Sequence, residues 1–327
     1  MRSSPPSNIP LGDLMQEGGL LRILYDMGIS NELFPLLIFI GIGAMIDFSP
    51  LLAQPKMVLL GAAGQFGIFG TLILATLLGF PIKEAASIGV IGAIDGPTAI
   101  FVSTRLAPRL IAPIAVAAYS YMSLIPIIQP PIMKLLTTKK ERMIRMEYAP
   151  KPVSKRVLVL FPIVVTLVVG LLVPEATPLI SMLMLGNLLR ESGVVDRLNK
   201  SAQNEIANIA TLFLGVTIGS TMVASQFLNW ETLGILALGL LAFVFDTVAG
   251  LLFGKFMAFI THGAINPLIG AAGISAFPMA GRLSARMAQD EDFENFILMH
   301  AMGANTAGQL GSVMAGGVLL ALVAGAL

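Results

Sequence analysis

The sequence predicts an all-α, polytopic membrane protein, and three observations support this prediction. Of its 327 residues, 56% are hydrophobic and only 12% are charged, whereas about a quarter of the residues in soluble domains are charged. Several apolar runs reach the roughly 20 residues that a helix needs to span a bilayer. Two further apolar stretches are interrupted by Gly and Pro. We therefore expect about eight full spans together with two broken or re-entrant helical elements.

Polar and apolar stretches divide the chain into successive parts. It begins with an interfacial segment, and no apolar stretch typical of a signal peptide follows Arg2. A loop rich in Lys and Arg separates two transmembrane halves, and the positive-inside rule predicts that this loop is cytoplasmic. The predicted boundaries are residues 1–32 for the interfacial segment, 33–133 for the first half with its broken element at 84–106, 134–156 for the basic loop, and 157–327 for the second half with its broken element at 264–282.

The two halves of the chain resemble each other. The run P-L-L-I-F-I-G-I-G-A-M-I-D-F-S starts at Pro35, and the run P-L-I-S-M-L-M-L-G-N-L-L-R-E-S starts at Pro178. Each half also carries one segment interrupted by Gly and Pro further along. Interrupted segments in corresponding positions of two halves indicate the binding site of a transporter. The sequence thus predicts an inverted repeat whose two broken elements form one site.

The first broken element contains G-A-I-D-G-P-T-A-I-F, Gly92 to Phe101. A carboxylate at the centre of a membrane helix costs roughly 2.5–3.5 kcal/mol on insertion scales, and the nearby Pro97 breaks the helix. Asp95, with carbonyls of the preceding half-helix, offers hard oxygen ligands for Na⁺ or a site for a proton. The alternative is that Asp95 is a helix cap whose bonds are satisfied between helices.

The second broken element reads I-N-P-L-I-G-A-A-G-I-S-A-F-P-M-A-G-R and ends at Arg282. Asn266 and Ser275 bring uncharged oxygens. Opposite Asp95 they would complete a shell with one net negative charge, as a monovalent cation needs. The Ser275 hydroxyl could instead bond back to its own helix. Arg282 is either an interface anchor or a ligand for an anionic substrate group.

Other spans contain further polar candidates. Tyr121 lies in an apolar span, where a phenol is usually a hydrogen-bonded ring. It becomes a proton donor only if a base or carboxylate lies close. Tyr119, two residues away, lies on a different face of that helix. In the last span, Asn305 is either a packing residue or a ligand of a second cation site, and Gln309 and Ser312 are assigned to packing.

The residue inventory argues against several other functions. Cysteine is absent and only two histidines are present, so we expect neither disulfides nor a transition-metal site. The sequence contains no phosphate loop and no dinucleotide fingerprint. The basic loop lies between two spans, which argues against a nucleic-acid surface.

Four stretches together resemble one family, the β subunit of the sodium-pumping, biotin-dependent decarboxylases of oxaloacetate, glutaconyl-CoA and methylmalonyl-CoA. They are the two broken elements, A-V-A-A-Y-S-Y-M-S-L-I-P-I-I-Q-P-P-I-M-K around Tyr121, and G-N-L-L-R-E-S-G-V-V around Arg190. The resemblance runs from about Leu33 to the C-terminus. Family members generally carry further hydrophobic segments before a sequence like S-N-I-P, which here starts at Ser7. This departure bears on trimer assembly more than on the ion site.

The resemblance also implies roles for individual residues. Asp95 matches the family's essential aspartate, and Tyr121 matches the tyrosine implicated with it. The polar positions of the family's second segment correspond to Asn266, Gly270, Ser275 and Arg282. The implied catalytic residues are Asp95, Tyr121 and Arg282, and the implied Na⁺ ligands are Asp95, Asn266, Gly270, Ser275 and Asn305.

The activity that the resemblance implies is that of a primary sodium pump. In that family a carboxytransferase α subunit moves a carboxyl group onto biotin on a carrier domain. The β subunit then decarboxylates carboxybiotin and exports Na⁺ while it consumes a proton from outside. The resemblance further implies a small single-span accessory subunit, a homotrimer with an elevator-like core and scaffold, and the bacterial cytoplasmic (inner) membrane.

The residues alone leave other transport mechanisms open. Two broken helices with an Asp equally suit a Na⁺/H⁺ antiporter or a Na⁺-coupled organic-anion transporter. A passive channel with Asp95 in a constriction is a third reading, although one isolated carboxylate and a repeat argue against it. Dependence on a carboxylated biotin carrier distinguishes the pump from the secondary transporter.

Overall fold

A computed structural model describes residues 19–147, 152–222, 227 and 229–324 of the chain. These residues form helices and turns without a strand, which confirms the all-α prediction. Residues 1–18 of the expected interfacial segment and 148–151 of the expected basic loop lie outside the described residues. In chain order the α-helices are α1 (Leu20–Leu24), α2 (Leu33–Met45), α3 (Ser49–Ala53), α4 (Met57–Ala63), α5 (Phe66–Leu77), α6 (Ile82–Gly89), α7 (Gly96–Leu106), α8 (Ile111–Leu136), α9 (Lys139–Arg142), α10 (Lys155–Leu172), α11 (Thr177–Ser192), α12 (Asp196–Ser201), α13 (Ala207–Ser220), α14 (Trp230–Ile260), α15 (Leu268–Ala271), α16 (Met279–Glu291) and α17 (Leu298–Ala324).

Five helical stretches of the described chain are long and apolar enough to cross a membrane. They are Met57–Leu77, Pro108–Leu136, Lys155–Leu172, Trp230–Ile260 and Leu298–Val323. A sixth results if Leu20–Ile29 and Leu33–Met45, which meet at a bend of 59°, form one broken span. The expected eight spans are not reached by this test, because α2, α11 and α13 have only 13, 16 and 14 residues, fewer than the roughly 20 of a straight span.

Ion pairs mark two opposite ends of the helix bundle. Near the start of α14, Glu231 binds Arg109 at 2.6 Å, and near its end Lys255 binds Glu141 at 3.2 Å. Because α14 is one continuous helix, its residues 231 and 255 lie about 36 Å apart. We call these the Arg109 end and the Lys255 end.

The first broken element is a re-entrant hairpin, residues 82–106. It enters as α6, turns in a 3₁₀ segment at Val90–Ala93, and returns as α7. Glu84 in its first turn binds Arg109, just beyond its last residue, through two hydrogen bonds of 2.7 and 2.6 Å. The first hairpin therefore starts and finishes at the Arg109 end.

The second broken element is also re-entrant, and it extends to residue 291 rather than to Arg282. Near its start the Asn266 amide donates to the carbonyls of Arg142 (2.9 Å) and Ile144 (2.8 Å). At its other end the Glu291 carboxylate binds the Arg142 guanidinium at 2.6 Å, and this hydrogen bond lowers the pKa of Glu291 below its usual value. Both ends of the second hairpin, residues 264–291, thus lie at the Lys255 end, since Arg142 adjoins Glu141.

The tips of the two hairpins meet inside the bundle. The Ser275 hydroxyl of the second hairpin donates a hydrogen bond to the Ala93 carbonyl of the first. Helix α17 passes both tips, because Asn305 donates to the Ile274 carbonyl at 2.7 Å while Gln309 donates to the Asp95 carboxylate at 2.8 Å. The core is therefore built around a junction of two hairpin tips and one long helix.

Helix α15 of the second hairpin packs on α14 where two glycine backbones touch. A Cβ added to Gly270 would lie 2.0 Å from the Gly250 carbonyl oxygen, whereas one added to Gly215 on α13 would meet nothing within 4 Å. We expect Gly270→Ala to lower the free energy of unfolding by about 1–3 kcal/mol, the usual cost of overpacking, and Gly215→Ala to have no such effect. Thermal unfolding in detergent measures both. Equal melting temperatures for the two variants would contradict this packing.

Candidate ion site

Asp95 lies at the tip of the first hairpin because the local sequence cannot continue a helix there. Its backbone is extended (φ −133°, ψ 99°), and α7 begins at the next residue, with a proline in its first turn. The preceding Ile94 has a left-handed backbone (φ 50°), which is unusual for a β-branched residue and typical of functional sites that hold strain. The carboxylate consequently lies at the N-terminus of α7, where the helix dipole favours negative charge.

Three neutral groups donate to one oxygen of the Asp95 carboxylate. The Thr98 hydroxyl (2.6 Å), the Gln309 amide (2.8 Å) and the Ser312 hydroxyl (3.4 Å) all bind Oδ2. The residue is 4% exposed, and no described residue forms an ion pair with this carboxylate. A buried charge without a charged partner is costly. The site is therefore suited to hold a small cation or a proton on the carboxylate.

A tyrosine adjoins Asp95, and it is Tyr119 rather than Tyr121. The Tyr119 ring packs against Gly96, where an added Cβ would lie 2.4 Å from the ring. Its hydroxyl is buried without a hydrogen-bond partner among the described residues. Tyr121, on another face of α8, donates to the Leu236 carbonyl of α14 at 2.6 Å. The prediction that the two phenols face different ways agrees with the structure, and the face turned to Asp95 is that of Tyr119.

Side-chain amides surround the tip of the second hairpin. Gln129 donates to the Ala271 carbonyl (2.8 Å), Gln65 donates to the Gly273 carbonyl (3.3 Å), and Asn305 donates to the Ile274 carbonyl (2.7 Å). The amide oxygens of Gln65, Gln129 and Asn305 are buried and accept no hydrogen bond from the described residues. Unpaired buried oxygens are rare in folded proteins, and hard cations bind to oxygen ligands of this kind.

The structure brings only some of the expected ligands to this junction. Ser275 lies at the tip contact, bonded to the other hairpin instead of to its own helix, and Asn305 lies beside it. Asn266 does not reach Asp95: its amide binds the segment after α9, and its Oδ1 accepts the Leu268 N–H at 3.0 Å. The reason is local, since an Asn before a proline caps the turn that follows it.

The two remaining expected residues lie away from the junction. Gly270 serves the contact between α15 and α14 described above. Arg282 lies on the exposed side of α16 and lines a cavity of about 370 Å³ together with Asp47, Gln203 and Met299. Met299 is ten residues before Gln309 on α17, which places this cavity about 15 Å along the helix from Asp95, towards the Lys255 end. Within the described residues, no group of three or more His, Cys, Asp or Glu side chains could hold a metal ion.

Sequence reasoning missed several residues of the junction. Gln309 and Ser312 were assigned to packing, although both donate to Asp95. Asp246 and Gln65 were not singled out, although each is a polar residue in the middle of an apolar span. The free-energy cost of placing a carboxylate in a membrane span, which singles out Asp95, singles out Asp246 as well.

Removal of the Thr98 hydroxyl tests the geometry around the carboxylate. We expect Thr98→Val to lower the free energy of unfolding by about 1.5–3 kcal/mol, because a hydrogen bond to a charged group is lost. Thr104→Val is the matched control, since that hydroxyl on the same helix donates only to the Ile100 carbonyl. Thermal unfolding in detergent gives both values. If Thr104→Val lowered the free energy of unfolding as much as Thr98→Val, the hydrogen bond to Asp95 would contribute no more to stability than a bond to a backbone carbonyl.

Comparison with known proteins identifies the family of this chain. The family described as the Na⁺-transporting oxaloacetate decarboxylase beta subunit matches residues 5–323. The chain is 53% identical to the oxaloacetate decarboxylase beta chain of Klebsiella pneumoniae, covering 95% of this chain and 73% of that one. It is 56% identical to the methylmalonyl-CoA decarboxylase subunit beta of Propionigenium modestum (94% and 78% covered) and 51% identical to the glutaconyl-CoA decarboxylase subunit beta of Acidaminococcus fermentans (98% and 84% covered). The chain therefore belongs to the family of Na⁺-transporting oxaloacetate decarboxylase beta subunits.

Proposed function

We propose that this chain is the membrane subunit of a primary sodium pump, which decarboxylates carboxybiotin and couples that reaction to Na⁺ export with consumption of a proton. The observation that carries the proposal is the Asp95 carboxylate, buried among neutral donors where two re-entrant tips meet. Relatives named as decarboxylase beta subunits for three different substrates support it. A shared membrane subunit for different acyl substrates fits a reaction that acts on their common carboxybiotin product.

The transported Na⁺ would bind at the junction of the tips. Asp95 supplies the negative charge, Ser275 and Asn305 supply neutral oxygens, and the dipole of α7 favours the charged form of the carboxylate. Asn266 and Gly270 act on this site from a distance, because they fix the second hairpin to the segment after α9 and to α14.

The chemical step releases CO₂ from carboxybiotin: the bond between the ring nitrogen and the carboxyl carbon breaks, and a proton takes its place on the nitrogen. Desolvation of the carboxylate in a closed site favours this step. Arg282, in its cavity at the Lys255 end, would bind the carboxylate of carboxybiotin before that closure. Asp95 would relay the proton, and a proton that arrives at Asp95 would displace Na⁺.

Eight crossings and an inverted repeat fit the contacts between the ends of the elements. The first hairpin enters from the Arg109 end and the second from the Lys255 end. Helix α14 runs from one end to the other, as its ion pairs with Arg109 and Glu141 show. The Lys255 end carries the basic residues of the loop after α8, so we place it in the cytoplasm of a bacterium, below the inner membrane. Movement of the two hairpins as one core against the other helices would give elevator-like transport.

The family supports a complex with several partners. These would be a carboxytransferase α subunit, a biotin carrier domain that reaches the cytoplasmic face, a small single-span accessory subunit, and two further copies of this chain in a homotrimer. No nucleic acid takes part.

Replacement of Asp95 tests the proposed function directly. Purified protein in liposomes receives carboxybiotin with and without Na⁺, and CO₂ release and ²²Na⁺ movement are followed together. We expect Asp95→Asn to reduce both by about 100-fold or more, because removal of one partner of a buried charge pair costs about 3–5 kcal/mol. Asp196→Asn, which changes an exposed aspartate on α12, should leave both unchanged.

If Asp95→Asn still coupled decarboxylation to Na⁺ export, the scheme would be wrong. Na⁺/H⁺ exchange without a response to carboxybiotin would favour a secondary transporter.

Arg282 offers a separate test of the substrate end. We expect Arg282→Gln to raise the KM for carboxybiotin by about tenfold or more, the loss of one charge-assisted hydrogen bond, and to leave the apparent affinity for Na⁺ unchanged. Arg286→Gln, one turn further along α16 and also exposed, is the matched control. An equal change in KM for both variants would show that general surface charge, and not Arg282, attracts the substrate.

A further inference from the structure

A second buried carboxylate, Asp246, takes no part in the scheme above. It lies in the middle of α14 and is 0% exposed. Its Oδ1 accepts a hydrogen bond from the Gly67 N–H. Its Oδ2 is buried and has no hydrogen-bond partner among the described residues.

The bond to Gly67 explains the position of Asp246 but not its free oxygen. Gly67 is the second residue of α5, so its N–H is one of the donors that a helix N-terminus leaves without an intrahelical partner. A Cβ on Gly67 would lie 2.7 Å from Oδ1, so only glycine lets the carboxylate approach this closely. One oxygen therefore caps α5, and an amide or a protonated acid would do this as well as a carboxylate.

The free oxygen faces the first hairpin next to its tip. A Cβ added to Gly92 would lie 3.1 Å from Oδ2. Gly92 is three residues before Asp95, so the two backbone positions are at most about 11 Å apart. One turn after Gly67 on α5, the hydroxyl of Thr71 is also buried without a partner among the described residues.

No charge on the surrounding elements balances Asp246. The elements packed against its helix, α14, are α4, α5, α6, α8, α15 and the turn at Val90–Ala93. None of their titratable side chains hydrogen bonds or forms an ion pair with Asp246, nor do those on α14 itself; in the described chain these are Lys83, Glu84, Tyr119, Tyr121, Lys134, Glu231 and Lys255.

We propose that Asp246 is a second ion-exchange carboxyl of this protein and that the ion it binds is a proton, held on Oδ2. A proton fits better than a metal cation because hard cations take roughly six or more oxygen ligands, whereas the described residues give this carboxyl one N–H donor and leave Oδ2 without a hydrogen-bond partner. Its place beside the first hairpin makes it a relay for the proton that decarboxylation consumes; that role rests on the proposed function.

The protonation of Asp246 can be tested without pump activity. Infrared difference spectra of the purified protein, recorded at neutral pH in saturating Na⁺, report the carbonyl band of a protonated carboxylic acid and its shift in D₂O. We expect this band in the wild type and in Asp196→Asn, and its loss in Asp246→Asn. The Asn variant imitates a protonated acid, so it should also keep the melting temperature and the number of ²²Na⁺ ions bound per chain. Asp246→Leu, which removes the acceptor for Gly67, should lower the melting temperature.

Three results would overturn the assignment. A band of unchanged intensity in Asp246→Asn, or the absence of the band from the wild type, would mean that Asp246 is not the protonated acid. The loss of one bound ²²Na⁺ in Asp246→Asn would make it a metal-ion ligand. For the relay, we expect Asp246→Asn to slow carboxybiotin decarboxylation by about tenfold or more at alkaline pH, within the range that positioned proton transfer contributes. An unchanged rate at every pH would exclude that role, while a protein inactive in every variant and in the wild type would contradict the proposed function instead.

Discussion

The structure depends on one constraint, the burial of the Asp95 carboxylate without a cationic side chain. Thr98 and Gln309 donate neutral hydrogen bonds to one of its oxygens, so the negative charge is only partly balanced by the protein. Such a charge is tolerated only with a bound cation, a proton or a helix dipole beside it. The broken helix supplies the dipole, and Gly96 leaves room for the Tyr119 ring that closes the site on one side.

The two hairpins position the Asp95 carboxylate inside the bundle. Each is held at its own end of the bundle, the first by Arg109 with Glu84 and the second by Arg142 with Glu291. The Ser275 hydroxyl at one tip donates to the Ala93 carbonyl at the other, and the amides of α17 bind both tips. A site between such tips is separated from either side of a membrane by one hairpin. The geometry therefore suits a carrier that opens to the two sides in turn, and it suits a channel less well.

Local sequence features were predictable, and long-range placement was not. Asp95 with Gly96 and Pro97 marks a helix break by itself, because insertion cost and backbone chemistry coincide there. The side of α8 that faces this break depends on packing against other helices: the Tyr119 ring packs on Gly96, while the Tyr121 hydroxyl binds the Leu236 carbonyl of α14. Asn266 is bonded to residues more than a hundred positions away, which no local pattern reveals. By length and composition the described residues give five or six spans, because several helices are short or bent.

The central claim, that Na⁺ binds at Asp95, is tested most directly by the melting temperature of the purified chain as a function of Na⁺ concentration. A ligand that binds only the folded state stabilises it by about 2.7 kcal/mol at one hundred times its dissociation constant. We predict a rise in melting temperature with Na⁺ that choline at the same ionic strength does not produce, and that Asp95→Asn abolishes. A rise of equal size in Asp95→Asn, or with choline, would contradict the claim.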